Sequence, residues 1–368
     1  MSERAPLYQQ IKQALRDEID AGRFDPAVPF VTQREVCERF GVSTITAVRA
    51  LNDLVAEGVL VRRRGLGTFV ADPKPRRRTA AVRDHATVAC VVSGLHGLRG
   101  AHLAHLLVAV ESVCAEQGYQ LVLSNSAEST EREEVALRRA LDQGVDGIIL
   151  YPVQGRGHPQ MFDEVRRRQV PLVMIDRYRP DVPTDAVVAD NRDLGYELTQ
   201  RLIARGHERI ATFWGETDCT SVVERHDGHI QALRDHGVPI RPALAVLRPY
   251  ESLPERQRIA ELKSLLESAE PPSVLLCANG YVLGAVAHDL AVLGLRASED
   301  VELACMDDAG PYDALALTTV EGILPSEEIA RQAMDLLIRR IASSRPYARP
   351  ARRVVLPVDV RERDAVPG

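Results

Sequence analysis

From residue 87 onward the sequence alternates short apolar runs with amphipathic stretches, and this rhythm limits the possible folds more than any other feature. The runs at 87–92, 120–124, 146–150, 171–175, 209–213, 273–277, 301–306 and 353–358 have strand length. Between them, residues 100–117, 129–143, 159–169, 192–205, 224–236, 255–269, 280–294 and 326–342 carry apolar side chains at helical spacing. Strand–helix alternation predicts an α/β fold of parallel sheets with helices on both faces, because each parallel connection needs a crossover long enough to hold a helix. So many strands exceed one ordinary sheet, so the pattern predicts two lobes. In such sheets ligands sit beyond the carboxyl ends of the strands, which directs attention to the polar residues just after each run.

The first 70 residues follow another pattern. Leu7, Ile11, Leu15 and Ile19 recur at steps of four, with Tyr8 and Ala14 beside them, as one stripe of a helix that ends near Gly22. Thr32 and Glu35 have capping-box spacing before a short helix through Phe40. Gly41 breaks that helix, and Ser43 is placed to cap a longer one running to about Glu57. Past Gly58 the period becomes two: Val59–Arg63 and Thr68–Val70 flank a turn, a hairpin with Arg62, Arg63 and Arg64 near its tip. Helix, glycine turn, longer helix and basic hairpin together read as a winged helix-turn-helix, with the arginines set to meet DNA. Residues 71–86 have no apolar period and carry Pro73, Pro75 and a basic cluster, as a linker does. The expected organisation is a DNA-binding domain over 1–71, a basic linker over 72–86, and a two-lobed α/β domain over 87–368.

Charge and chemistry narrow the function class. Residues 1–86 hold 15 Lys/Arg against 11 Asp/Glu and the rest hold 31 against 41, so about +4 and about −10 sum to −6. A basic N-terminal part on an acidic body suits a module that meets a polyanion. The six cysteines lie far apart with no C-x-x-C pair, and no apolar leader opens the chain. No run approaches the ~18 apolar residues of a membrane helix, so a cytoplasmic protein with reduced thiols and no membrane partner is expected. G-x-S-x-G, P-loop and H-E-x-x-H patterns are absent, so no enzymatic activity, catalytic residue, cofactor or metal is expected. His102/His105 and His226/His229 share i, i+3 spacing, but no nearby Cys or paired carboxylate completes a ligand set, and they read as surface histidines. The glycine-rich stretch Gly94–Gly100 reads as a turn connecting the lobes.

The N-terminal part resembles the GntR family of winged-helix repressors. The resemblance runs through Pro6-Leu7-Tyr8-Gln9-Gln10-Ile11, Ala21-Gly22-Arg23, Val42-Ser43, Ala50-Leu51 and Leu54-Val55-Ala56-Glu57-Gly58, ending in Arg63-Arg64-Gly65-Leu66-Gly67-Thr68-Phe69-Val70. It implies that the helix after the turn enters the major groove while the wing reaches the minor groove. By position it places Arg34 at the start of the supporting helix, Thr44, Thr46 and Arg49 on the recognition helix, and Gly65 and Gly67 in the wing; Ser43 at the cap and Arg62, Arg63 and Arg64 in the hairpin join them as DNA-contact candidates. Thr44 and Val48 stand where the family usually has arginine and Val31 where it has proline, which points away from a guanine-centred operator.

From about residue 87 the chain resembles the sensor domain of LacI-type repressors, built like periplasmic sugar-binding proteins. The carriers are Gly118-Tyr119-Gln120-Leu121, Asn125-Ser126, Val145-Asp146-Gly147-Ile148-Ile149, Ile175-Asp176-Arg177 and Asp190-Asn191. Further ones are Gly206-His207-Glu208-Arg209-Ile210-Ala211, Arg225 three before Gly228, Leu283-Gly284-Ala285 and Leu317-Thr318-Thr319-Val320. The resemblance implies that Asp176 and Arg225 bond effector hydroxyls. Asn279 stands at a position normally held by Asp, and Asp307 and Trp214 follow strands as further candidates. An amide cannot take two hydroxyl protons as a carboxylate does, so Asn279 leaves acidic, phosphorylated or non-sugar ligands open beside a sugar.

Together the two resemblances suggest the GntR subgroup with a LacI-like sensor, as arabinose-type repressors have. The expected function is a sequence-specific homodimeric repressor whose affinity for double-stranded operator DNA is changed by a sugar-like effector. An activator of the same architecture sensing a non-sugar ligand, and a pure ligand-binding protein, are the alternatives; the winged helix opposes the second.

Overall fold

The computed structural model describes residues 7–20, 29–56, 59–63, 67–70, 86–94, 101–245, 247–250, 252–297, 299–310 and 316–363. The chain divides into two compact units, Met1–Ala81 and Val82–Gly368. Linker residues 72–85 lie outside the described residues.

The first unit holds α1 (Leu7–Asp20), α2 (Gln33–Phe40), α3 (Thr44–Ala56), β1 (Leu60–Arg63) and β2 (Gly67–Val70). The capping box before α2 forms in both directions: Glu35 N–H donates to Thr32 Oγ1 at 3.2 Å, and Thr32 N–H donates to Glu35 Oε2 at 2.6 Å. Gly41, at φ 61°, ends α2 in the left-handed region, where a residue with a Cβ pays a steric cost. The turn lets α3 cross back so that Ala47, Ala50, Leu51 and Leu54 bury against Ile11 and Leu15 of α1 and Val36 of α2. Leu60↔Val70 through Arg63↔Gly67 pair antiparallel, and Val31 bridges Thr68 beside the hairpin.

The second unit begins with β3 (Ala86–Val92), α4 (Ala101–Glu116), β4 (Tyr119–Asn125), α5 (Thr130–Gln143), β5 (Gly147–Leu150), α6 (Pro159–Arg167), β6 (Leu172–Ile175) and β7 (Asp185–Ala189). It continues with α7 (Asn191–Ala204), β8 (Ile210–Phe213), α8 (Thr220–Asp235), α9 (Glu255–Leu266), β9 (Val274–Cys277), α10 (Gly280–Val292), β10 (Glu302–Cys305) and β11 (Thr318–Ile323). The last elements are α11 (Ser326–Ile341), β12 (Arg353–Leu356) and β13 (Asp359–Glu362).

These form two sheets, ordered β12-β7-β6-β5-β3-β4 and β13-β11-β10-β9-β8. All pairings are parallel except β11 with β13. Helices α4 and α11 cover one face of the first sheet and α5 and α6 the other; α7 and α8 pack against the second sheet opposite α9 and α10. The chain passes between sheets at Asp190, at Leu324–Pro325 and at Pro357–Val358.

Three corrections follow. The run 353–358, expected as one strand, is divided: Pro357 has no N–H for a ladder, and the chain leaves β12 on one sheet for β13 on the other. Strands β7 and β11 were not expected as strands, being short runs that sheet neighbours complete. The segment after Gly94 joins β3 to α4 within one lobe, so it is not a lobe connection; residues 95–100 lie outside the described residues. Among the described residues, no helix is long and apolar enough to cross a membrane.

Candidate functional site

On the first unit, packing of one α3 face leaves the opposite face outward. Ser43, Thr44, Ile45 and Arg49 are exposed there. Ile45 is 81% exposed, an apolar side chain that the sequence reading missed and that suits contact with a thymine methyl. Ser43 caps α3, with Thr46 N–H at 3.4 Å from its Oγ, and the two hydroxyls lie 3.0 Å apart. Thr46 is therefore turned toward the cap, while Thr44 stands free of that arrangement. The Arg49 guanidinium sits 4.2 Å from the Tyr8 ring centroid, which holds the side chain over α1 without neutralising it. Arg34 is exposed and faces Glu38 at 3.6 Å. Arg62 is exposed on β1 and Arg63 is the last residue of that strand. Arg64 and Gly65 lie outside the described residues. Gly67, at φ 118°, has a further reason to be glycine: a Cβ there would come within 2.9 Å of Pro29 Cβ.

In the second unit, a cleft forms where the carboxyl ends of strands from both sheets meet. Asp176, directly after β6, is buried and has φ 66°. The left-handed region costs an L-residue on the order of 1 kcal/mol, so packing must hold this carboxylate in place. His102 on α4 does so: its Nε2 lies 2.7 Å from Asp176 Oδ1, and its Nδ1 lies 2.7 Å from Ser326 Oγ at the crossover into α11. Arg177 Nε donates to Asp176 Oδ2 at 3.2 Å. Burial pushes the Asp176 carboxyl up, but the His102 hydrogen bond and the charges of His102, Arg177 and Arg225 outweigh it and hold the group well below the usual carboxylate range.

Arg225, on α8, is equally buried and joins four segments. Its Nε donates to Asn191 Oδ1 at 2.9 Å and its Nη1 to the Ala278 carbonyl at 3.2 Å. Nη1 also lies 2.9 Å from Asp307 Oδ1, a charge contact without hydrogen-bond alignment. Burial disfavours this charge, but Asp307 and Asp176 outweigh it and raise the Arg225 pKa. Asn279 caps α10, its Oδ1 accepting from Val282 N–H at 3.0 Å, so only its Nδ2 end is left to face a ligand. Asp176, Arg225, Asn279 and Asp307 all line one cavity, with Ser93, Tyr151, Arg177 and Glu216.

Trp214 does not join them. It is completely buried, donates from Nε1 to Thr212 Oγ1 at 3.1 Å, and meets the His226 ring edge-on. It fills the core between β8 and α8. The reading of the paired histidines as surface groups also fails for two of them, since His102 is 4% exposed and His229 is fully buried against Thr199. No group of three or more His, Cys, Asp or Glu able to hold a metal occurs among the described residues.

The lobes also touch across the cleft. Arg177, on the first lobe, makes a fork to Glu216 on the second, with Nη1–Oε1 at 2.9 Å and Nη2–Oε2 at 2.8 Å, and Nη2 also donates to Tyr151 Oη at 2.9 Å. Tyr178 N–H donates to Thr220 Oγ1 at 3.0 Å, and Gly155 N–H donates to the Asp218 carbonyl at 2.7 Å. The Arg177–Glu216 fork and Tyr151 line the cavity, which measures about 50 Å³, whereas Gly155, Tyr178, Asp218 and Thr220 line a neighbouring cavity of about 640 Å³.

Comparison with known proteins agrees with both halves. Residues 7–70 match the family described as bacterial regulatory proteins of the gntR family. Residues 99–351 match periplasmic binding proteins and the sugar binding domain of the LacI family. The arabinose metabolism transcriptional repressor of Geobacillus stearothermophilus is 29% identical over 344 residues, covering 91% of each chain. The solved complex of the transcriptional regulator CelR with cellobiose superposes with a TM-score of 0.65 at 26% identity, over 99% of this chain and 100% of that one. A ribose operon repressor structure from Burkholderia thailandensis gives a TM-score of 0.65 at 26% identity, over 75% of this chain and 99% of that one.

Proposed function

The chain belongs to the family of periplasmic binding proteins and LacI-type sugar binding domains, here joined to a gntR-family module, and from that premise we propose how the cleft and the winged helix act together. It is a transcriptional repressor of this combined architecture with a sugar-responsive effector domain, and not an enzyme. Residues 1–71 bind the operator, 72–86 link, and 87–368 sense the effector and form a homodimer. Two-fold symmetry then presents two recognition helices to a pseudo-palindromic operator in the cytoplasm.

The effector is an uncharged, sugar-sized polyol. The carrying observation is that both cleft guanidiniums are already neutralised, Arg177 by Asp176 and Glu216 and Arg225 by Asp307. Around the whole cavity wall, four carboxylates (Glu128, Asp176, Glu216 and Asp307) against two guanidiniums and His102 leave no surplus positive charge for a phosphate or an acid. The same groups can share hydrogen bonds with hydroxyls, carboxylates accepting and guanidiniums donating. The position of Asn279 thus adds a donor rather than making room for an anion. A thermal-shift panel tests this: neutral pentoses, hexoses or disaccharides should raise the melting temperature, and their phosphates and acids should not. A shift with a sugar phosphate and none with the neutral panel would sink the assignment.

Coupling follows from the size of the cavity. About 50 Å³ is a third of the ~150 Å³ of an apolar cavity that takes benzene, and a sugar ring is larger. The effector therefore enters only when the Arg177–Glu216 contact opens, so ligand binding and the relation of the lobes are linked. On the DNA side, Arg49→Ala should weaken specific binding by roughly 1–3 kcal/mol and relax one operator position. Equal loss on operator and mixed-sequence DNA, measured by titration at fixed salt, would make Arg49 a phosphate contact instead.

A further inference from the structure

The strands β3 to β7 and β12 run parallel, so their N-terminal ends lie along one edge of the six-stranded sheet, at the opposite end from the effector cleft. The chain enters the sensor at this edge, at the start of β3. The segment from Arg339 to Arg353, which ends α11 and leads into β12, holds Arg339, Arg340, Arg345, Arg349, Arg352 and Arg353 and no Asp or Glu. It does so within a region of net charge about −10.

Three of these arginines have structural work. Arg340 grips Asp185 through Nε and Nη2, both at 2.8 Å, and donates to the carbonyls of Pro346, Arg349 and Pro350. Arg353 stacks 4.6 Å from the Tyr178 ring centroid. Arg339 lies in the last turn of α11, where the helix dipole favours a cation. Arg345, Arg349 and Arg352 are different: they are exposed, and none has a carboxylate within ion-pair distance among the described residues. Asp185, which the Arg352 N–H also reaches at 2.8 Å, is committed to Arg340. The loop itself is held in place by the Arg340 contacts and by Tyr347 Oη donating to the Val170 carbonyl at 2.6 Å. Like charges fixed together repel one another unless a polyanion lies against them.

We infer that Arg345, Arg349 and Arg352 form a second, sequence-independent contact with the DNA backbone, added to that of the winged helix. DNA is favoured over other polyanions because this edge is where the tether from the DNA-binding unit arrives. In the sheet order β12 lies four strands from β3, on the order of 19 Å at ~4.8 Å per strand, a span along which duplex DNA carries about eleven phosphate charges.

The test uses the full-length protein and a mixed-sequence duplex of roughly four helical turns. The triple variant Arg345→Gln, Arg349→Gln, Arg352→Gln removes three arginines from each protomer and should lower the slope of log Kd against log salt by about 5 for the homodimer, near 0.9 per lost phosphate contact. Its effector-induced thermal shift should stay as in the parent. Arg345→Lys, Arg349→Lys, Arg352→Lys keeps the charges and should keep the slope. An unchanged slope in the glutamine variant overturns the inference, and so does equal loss in the lysine variant, which would mark a structural effect. In either case the steep slope remaining in the parent still reports the winged helix, so this failure is separate from failure of the DNA-binding reading.

Discussion

Replacing Arg225 with methionine should abolish the effector-induced thermal shift and cost the sensor about 3–5 kcal/mol of stability. The size follows from what remains rather than from what is removed. Asp307 is only 6% exposed, and without the guanidinium its charge is buried with no ion-pair partner among the described residues. The Asn191 side-chain oxygen and the Ala278 carbonyl lose their donors in the same step. Because these groups belong to α7 and to the loops after β9 and β10, the loss loosens the second-lobe wall of the cleft. Arg225→Lys separates the two effects: it restores a charge beside Asp307 but cannot reproduce the planar fork. Urea denaturation should show the lysine variant regaining part of the stability, while the effector panel still gives no shift. A methionine variant as stable and as responsive as the parent would remove Arg225 from the site.

Gly228→Ala should be comparably damaging although it adds only one methyl group and removes no charge. A Cβ on Gly228 would lie 1.9 Å from the Arg192 carbonyl oxygen and 2.9 Å from Tyr196 N; on Gly195 it would lie 2.0 Å from the Arg225 carbonyl oxygen. These neighbours are backbone, so no side chain can swing away, and α7 and α8 must move apart. Overpacking of a well-packed core costs typically 1–3 kcal/mol, and a helix crossing closed by backbone contact belongs at or beyond the upper end. The displacement also carries Arg225 away from Asn191, so effector response should fall together with melting temperature. An unchanged melting temperature in Gly228→Ala would show that the crossing is looser than its geometry implies.

Local signals were legible where the physics is local. Helix α5 was expected at 129–143 and occupies Thr130–Gln143, because Ser129 caps it and Gly144 stops it in the left-handed region. The capping box of Thr32 and Glu35 and the break at Gly41 were readable for the same reason. Strand β7 was missed because a five-residue run next to Pro183 has little signal of its own and gains its hydrogen bonds only from β6 and β12.

The alternation of apolar runs and amphipathic helices thus determined by itself a two-lobed α/β body, and the separate pattern of the first 70 residues a winged helix, because period, caps and turns are properties of neighbours in the chain. What it could not decide was which side chains share the cleft. Asp176, Arg225, Asn279 and Asp307 were named one at a time from strand ends and resemblance, and only the meeting of two sheets makes them neighbours. His102 was read as a surface group because its partners, Asp176 and Ser326, lie 74 and 224 residues away. Trp214 stands after a strand as a ligand residue would, yet the packing of α8 buries it. The fork from Arg177 to Glu216, which closes the cleft, joins residues 39 apart on opposite lobes. Contacts across such separations depend on how the sheets are placed, and the tertiary structure alone fixes that.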